Sequence, residues 1–245
     1  MMPTEPRLTF LLDVDNTLID NDAAKDDMAA GLRRLLGDDE TARFWSLYET
    51  VRHDVGMVNI PLTLARFEQR EGLDAPAAQD DAAVREQRFA LADLLMSFPY
   101  ERYLFPGALD TIAHLRTMGR VAILSDGDPA FQPSKIWRAG IDAAVDGYVL
   151  VYDHKEQHLA EVAAAFPADH YVLVEDKPTV IQRVRERLPL PLTTVLLRQG
   201  HYAAEVAAGP WPGAHLTRDA IADLRALDAA AFVQAGATVG LLPGS

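Results

Sequence analysis

The strongest constraint on this chain is a set of short apolar runs and the residues at which they stop. Leu8–Leu12 halts at Asp13, Val121–Leu124 at Ser125-Asp126-Gly127, and Tyr171–Val174 at Glu175-Asp176. Gly147–Tyr152 and Thr193–Leu197 complete the set. The runs are nearly continuous rather than alternating, the pattern of strands buried on both faces of a parallel sheet. Helical periods lie between them. Ala108, Leu109, Ile112 and Leu115 form a stripe on a helix expected to end near Gly119 as its C′ glycine. Pro133 and Pro178 sit where a first-turn proline opens a helix. Lys155–Ala165 and Arg218–Phe232 read as two further helices. Strands alternating with helices give an α/β, doubly wound architecture.

One stretch breaks the alternation. From about Asp20 to Phe98 there are only helical periods: Phe44, Leu47, Tyr48 and Val51; Ile60, Leu64 and Phe67; Leu91, Leu94, Leu95 and Phe98. An all-helical insert after the first strand is expected, with residues 20–98 as one domain and 1–19 with 99–245 as the other. The chain would return to the core through Pro99 and Pro106. No internal repeat is evident; Ala75–Ala83 is an alanine-rich polar patch, and Leu241–Ser245 is expected to fray.

In an open parallel sheet, ligands bind beyond the carboxyl ends of the strands. That edge gathers Asp13 and Asp15, Ser125-Asp126-Gly127, Lys155 and Glu175-Asp176. Two carboxylates two residues apart repel unless a cation or a proton holds them together. Oxygen ligands without His or Cys suit a hard ion, Mg²⁺ above all. A carboxylate can also attack phosphorus while a neighbouring acid protonates the leaving group. A hydroxyl with backbone N–H groups at Ser125 would cradle an anion, and a lysine would offset its charge. Singly, each element has a plainer reading: Asp15-Asn16-Thr17 as a helix cap or Asx-turn, Ser125-Asp126-Gly127 as a turn, Glu175-Asp176 as helix N-terminal acids.

Composition narrows the function classes. The 245 residues include 23 Lys and Arg against 36 Asp and Glu, a net charge of −13. Such a chain repels phosphate backbones, which argues against nucleic-acid binding. It has no cysteine, so disulfides and thiol chemistry are excluded. The apolar runs are too short to span a bilayer, and Met1–Arg7 lacks a secretory leader pattern, so a cytoplasmic protein is expected.

Taken together, these segments resemble the haloacid dehalogenase-like hydrolases. Asp13, Asp15 and Thr17, with Leu18 following, match that superfamily's Asp-x-Asp-x-Thr motif after a hydrophobic run. Ile123–Gly127 matches its second motif, Lys155 its third, and Val174–Pro178 its fourth. Lys135 and Lys177 compete for the lysine role; Lys155 is preferred because Lys135-Ile136-Trp137 looks like packing and surface. Where the fourth motif often carries another acid, this chain has Val180 and Ile181. The resemblance implies a Rossmann-like core with a helical cap. It implies Asp13 as nucleophile and Asp15 as acid and base, with Mg²⁺ held by Asp13, the Asp15 backbone carbonyl and Asp176, and Glu175 behind them. Ser125, Asp126 and Lys155 would bind the phosphoryl group, and Thr17 would brace the loop.

Dehalogenases of the superfamily lack the acid at the position of Asp15, so the resemblance favours phosphate chemistry on a small phosphorylated metabolite. A phosphomutase needs the same residues. A non-catalytic phosphate-binding or phospho-acceptor protein is the alternative from another class. The oligomeric state is open. In the insert, Arg52 and His53 either meet substrate or complement the dipole of a solvated helix C-terminus, the latter being the simpler reading, and Asn59 lies just beyond. His201 reads as loop surface, His114 and His154 have no assigned role, and Trp45, Trp137 and Trp211 read as packing.

Overall fold

The computed structural model describes residues 6–69, 82–206 and 208–237. Most of the alanine-rich patch and the tail from Leu241 lie outside them. Six parallel strands form one sheet in the order β3-β2-β1-β4-β5-β6. They are β1 (Leu8–Leu12), β2 (Gly119–Asp126), β3 (Val149–Tyr152), β4 (His170–Glu175), β5 (Leu192–Leu197) and β6 (Leu216–Arg218). β1 lies central, with Leu8 opposite Gly119 on one side and His170 on the other.

The period-2 alternation of strand side chains explains why the runs are apolar throughout. Phe10, Leu12, Ile123, Val172 and Val174 enter one core with α5 (Ala108–Arg116), α6 (Phe131–Arg138), α7 (Ile141–Ala144) and α10 (Ala229–Ala237). Leu11, Ala122, Leu124, Leu173 and Leu196 enter a second core with α8 (Leu159–Ala165) and α9 (Pro178–Arg187). Among strand residues away from the ends, the buried polar side chains are threonines such as Thr9, Thr193 and Thr194.

Between β1 and β2 the chain forms the helical insert: α1 (Asn21–Leu36), α2 (Asp38–Val55), α3 (Ile60–Glu68) and α4 (Ala82–Met96). Its local signals are ordinary. Asp20 caps α1 by accepting the Ala23 N–H at 2.9 Å, and Asn59 caps α3 by accepting the Leu62 N–H at 2.8 Å. Met28, Leu32, Phe44, Tyr48, Phe67, Leu91 and Leu95 pack into the same apolar cluster as the first sheet face.

Several local expectations are corrected. Gly119 is not a helix C-cap: α5 ends at Arg116, and Gly119 opens β2 against Leu8. A Cβ there would stand 2.5 Å from the Leu8 carbonyl oxygen. Leu109 faces solvent, and Thr111 takes its place on the buried stripe. The segment after Arg218 is not one helix: Leu216–Arg218 forms β6, followed by a 3₁₀ turn at Ile221–Ala226 and then α10. Lys155–Gln157 is likewise 3₁₀, with α8 starting at Leu159. Trp137 is 65% exposed, whereas Lys135 beside it is buried. No helix among the described residues is long and apolar enough to cross a membrane.

Two predictions follow from this packing. Gly119→Ala should destabilise the fold by roughly 1–3 kcal/mol, since β1 and β2 must separate to admit the methyl group, measured by urea unfolding. His215 Nδ1 accepts the Thr194 N–H at 2.9 Å, and burial, then Arg185, push its pKa down to about 4. The unfolded chain protonates this imidazole near its ordinary value of about 6.5. Stability from this group is therefore complete above that pH and is lost as pH falls towards 4. His215→Asn, which keeps an acceptor but cannot titrate, should flatten that part of the stability–pH curve.

Candidate active site

The carboxyl ends of β3, β2, β1 and β4 converge on one cleft of about 380 Å³, roofed by the helical insert. Asp13 continues β1: its N–H donates to Val174 O at 3.0 Å, extending the ladder by one bond. The chain then turns. The N–H groups of Thr17, Leu18 and Ile19 all reach the Val14 carbonyl, and Asn16 takes a left-handed conformation at φ 59°. Gly200, at φ 66°, presses against Asn16; a Cβ there would meet its Cγ at 2.4 Å. Gln199 donates to Thr17 O at 3.0 Å. Thr17 braces the turn through its backbone, while its buried hydroxyl has no partner among the described residues.

Lys155 is the hub. It is 1% exposed, and its ammonium reaches Asp13 Oδ1 at 2.5 Å, Glu175 Oε2 at 2.6 Å and Leu124 O at 3.2 Å. Asp13 Oδ1 and Leu124 O accept hydrogen bonds from it, while Glu175 Oε2 lies against it as an ion pair. Burial alone would lower its pKa; Asp13, Glu175 and Asp126 outweigh this and hold it well above the ordinary lysine value. The lysine that the resemblance gave to the phosphoryl group thus also holds Asp13.

Asp13, Glu175 and Asp176 bring carboxylate oxygens within 4.8 Å of one another, all three buried. Burial, then Glu175, raises Asp13 to about 7 and Asp176 to about 10. One lysine cannot neutralise three acids, and the buried Asp176 Oδ2 has no hydrogen-bond partner among the described residues. A hard divalent cation fits this donor set. The Asp15 carboxylate lies outside it, paired with Lys135, whose Nζ also donates to Asn21 Oδ1 at 2.6 Å.

Ser125 Oγ accepts the Gln132 amide at 3.0 Å at the floor of the cleft. The Asp126 carboxylate, which the motif grouped with phosphate binding, instead accepts the Lys155 backbone N–H at 2.7 Å. Burial raises its pKa, and in its ionised form it has no hydrogen to offer a phosphoryl oxygen. Its role is to fix the loop that carries Lys155. The Gly127 N–H is similarly used by Tyr152 O.

Lys135 was misread. Its position early in α6 suggested surface, yet its ammonium turns inward to Asp15 and lies 4.8 Å from the Tyr100 ring centroid. Lys177 lines the cleft with its ammonium over Tyr202. From the insert, Arg52 and Asn59 approach the core while His53 stays exposed. Asn59 donates to Asp128 Oδ2 at 2.8 Å, and Asp128 in turn caps α6 through the N–H groups of Ala130 and Phe131. Two helix caps thus bond each other across the junction. His201 joins Asn16 and Asp22 at the cleft margin. Gln132, Asn21 and Asp128 gave no sequence signal beyond following a motif by a helical turn or two.

A doubly wound parallel sheet with acids, a hydroxyl and a lysine at successive strand ends, and helices inserted after the first, defines a class of hydrolase. Residues 8–197 match the haloacid dehalogenase-like hydrolases, and the chain belongs to that family. A haloacid dehalogenase-like hydrolase from Burkholderia xenovorans LB400 is 36% identical with a TM-score of 0.76, covering 93% of this chain and 100% of that one. YfnB from Bacillus subtilis, a HAD-hydrolase bound to magnesium, is 17% identical (TM-score 0.54; 89% and 96% covered). A 2-haloacid dehalogenase from Pseudomonas syringae pv. tomato is 13% identical (TM-score 0.60; 89% and 96% covered). The last two share the fold alone. No curated protein matches the chain.

Removing the hub tests its role in the fold. Lys155→Met leaves Asp13 and Glu175 buried without their cation and should cost on the order of 3–5 kcal/mol, read by chemical denaturation of the protein held with a metal chelator.

Proposed function

We propose that the chain is a Mg²⁺-dependent phosphomonoesterase acting on a small phosphorylated metabolite. The observation that carries this is the buried trio Asp13, Glu175 and Asp176 with its unpaired Asp176 oxygen. A carboxylate that displaces halide from carbon needs no divalent cation beside it. Phosphoryl transfer does, because charge is spread over the non-bridging oxygens. Bound by Asp13, Asp176 and the Asp15 backbone carbonyl, with Glu175 behind, Mg²⁺ would neutralise that charge.

In this reading Lys155 aims the free Asp13 oxygen at phosphorus, and an aspartyl-phosphate forms as the ester oxygen leaves. Asp15, facing the cleft, protonates that oxygen and then takes a proton from the water that attacks the phospho-enzyme. Lys135 and Asn21 hold Asp15 in place for both transfers. Ser125 Oγ, steadied by Gln132, can donate to a phosphoryl oxygen.

Phosphate release from para-nitrophenyl phosphate should require Mg²⁺ and stop with chelator. Asp13→Asn should abolish it, and Asp15→Asn should slow turnover by about 10²–10⁴-fold. Halide release from a short 2-chloroalkanoic acid, without phosphate release from any ester, would overturn the proposal in favour of dehalogenation.

A further inference from the structure

The insert contributes one wall of the cleft, and its charge is opposite to that of the chain. α1 carries three carboxylates and α2 five, yet none of these eight lines the cleft. The two charged residues that these helices do send into it are Lys25 and Arg52. For a protein with 36 acids against 23 bases, an all-cationic wall facing an acidic floor calls for a chemical reason.

Lys25 is the sharper of the two. It is half-buried, and among the described residues no carboxylate pairs with it. Its ammonium is instead held by aromatic faces, 5.1 Å from the Tyr48 centroid and 5.9 Å from Trp45. Aromatic faces attract and orient a cation without neutralising it, so the charge stays available to an anion. Among the described residues Arg52 pairs with Glu49 at 3.4 Å, a half-exposed contact within one helix that a ligand anion can compete with.

Position relates these cations to the reaction. Asn21, Lys25 and Met28 follow i, i+4, i+7 along the cleft face of α1. Asn21 is tied through Lys135 to Asp15, the group on the leaving-oxygen side. Lys25 therefore stands one helical turn, about 6 Å of rise, along α1 from Asn21. Tyr48, Met28 and Trp45 give the intervening wall an apolar and aromatic surface.

Resting on the phosphatase reading, we infer that the substrate's alcohol portion carries a second anionic group, received by Lys25 and Arg52 across a short apolar or aromatic span. The substrate class is thus an acid phosphomonoester: a phosphorylated hydroxycarboxylate or a bisphosphorylated compound. A neutral phosphorylated alcohol would leave both cations unanswered and is discriminated against.

The test uses non-hydrolysable probes with Mg²⁺ and calorimetry: phenylphosphonate, para-carboxyphenylphosphonate and para-phenylene bisphosphonate. At least one doubly anionic probe should bind about tenfold more tightly than phenylphosphonate, as a charge-assisted contact implies. Whichever of the two binds more tightly identifies the second anion as carboxylate or phosphate. Lys25→Gln should collapse that ratio to about twofold or less, Arg52→Gln should reduce it, and Lys25→Arg should preserve it. Equal binding of all three probes overturns this inference and leaves the phosphatase reading standing. Absence of binding by any of them, in a protein that does bind Mg²⁺, overturns both.

Discussion

Lys155 binding Asp13 and Glu175 in the interior is the contact on which the rest of this molecule depends. It joins the loop after β3 to the ends of β1 and β4, passing the carbonyl of Leu124 in β2 on the way. Four strands that share only backbone hydrogen bonds are thus tied at one polar point. Taking these charges out of water is unfavourable in itself, and a lone ion pair of this kind is weak evidence for stability. Its value lies in position. The hydrogen bond to Lys155 orients Asp13, and the acids that one lysine cannot neutralise, with the unpartnered Asp176 Oδ2 among them, form a donor set that a divalent cation fits.

The neighbouring contacts extend the same principle outward. Asp126 fixes the Lys155 loop through its backbone N–H, Gln132 fixes Ser125, and Lys135 with Asn21 fixes Asp15. Lys155, Ser125 and Asp15 each have a second residue that restrains them, so little reorganisation of these groups remains for the moment of reaction. The insert is tied into this arrangement through Asn21 itself and through the bond between the caps Asn59 and Asp128. Motion of the insert would therefore be felt at Asp15, two bonds away.

Much of the fold could be read along the chain because burial on both faces leaves a continuous apolar signature, and polar residues collect where strands end. The helical insert was legible for the complementary reason: each of its helices buries one stripe. Local signals failed where two distant segments decide together. Gly119 reads as a helix terminator until Leu8 is placed beside it. Leu216–Arg218 is too short to show a period and becomes a strand only by pairing with β5. Lys135 and Trp137 are two residues apart on one helix, and nothing local says that the lysine turns inward while the tryptophan faces water.

By itself the sequence determined the alternation of strands and helices, the edge at which chemistry would gather, and the gathering of acids, a hydroxyl and a lysine there. Those properties follow from hydrophobic pattern and residue chemistry, which are written locally. Only the tertiary structure decided what each polar group does. It assigned Lys155 to Asp13, Asp126 to a loop and Lys135 to Asp15, and it turned the basic residues of α1 and α2, rather than their acids, towards the cleft. Hydrogen bonds and ion pairs act over about 3 Å, so their partners are set by which strand ends and helix faces meet. That is fixed by how the layers pack, and no spacing along the chain records it.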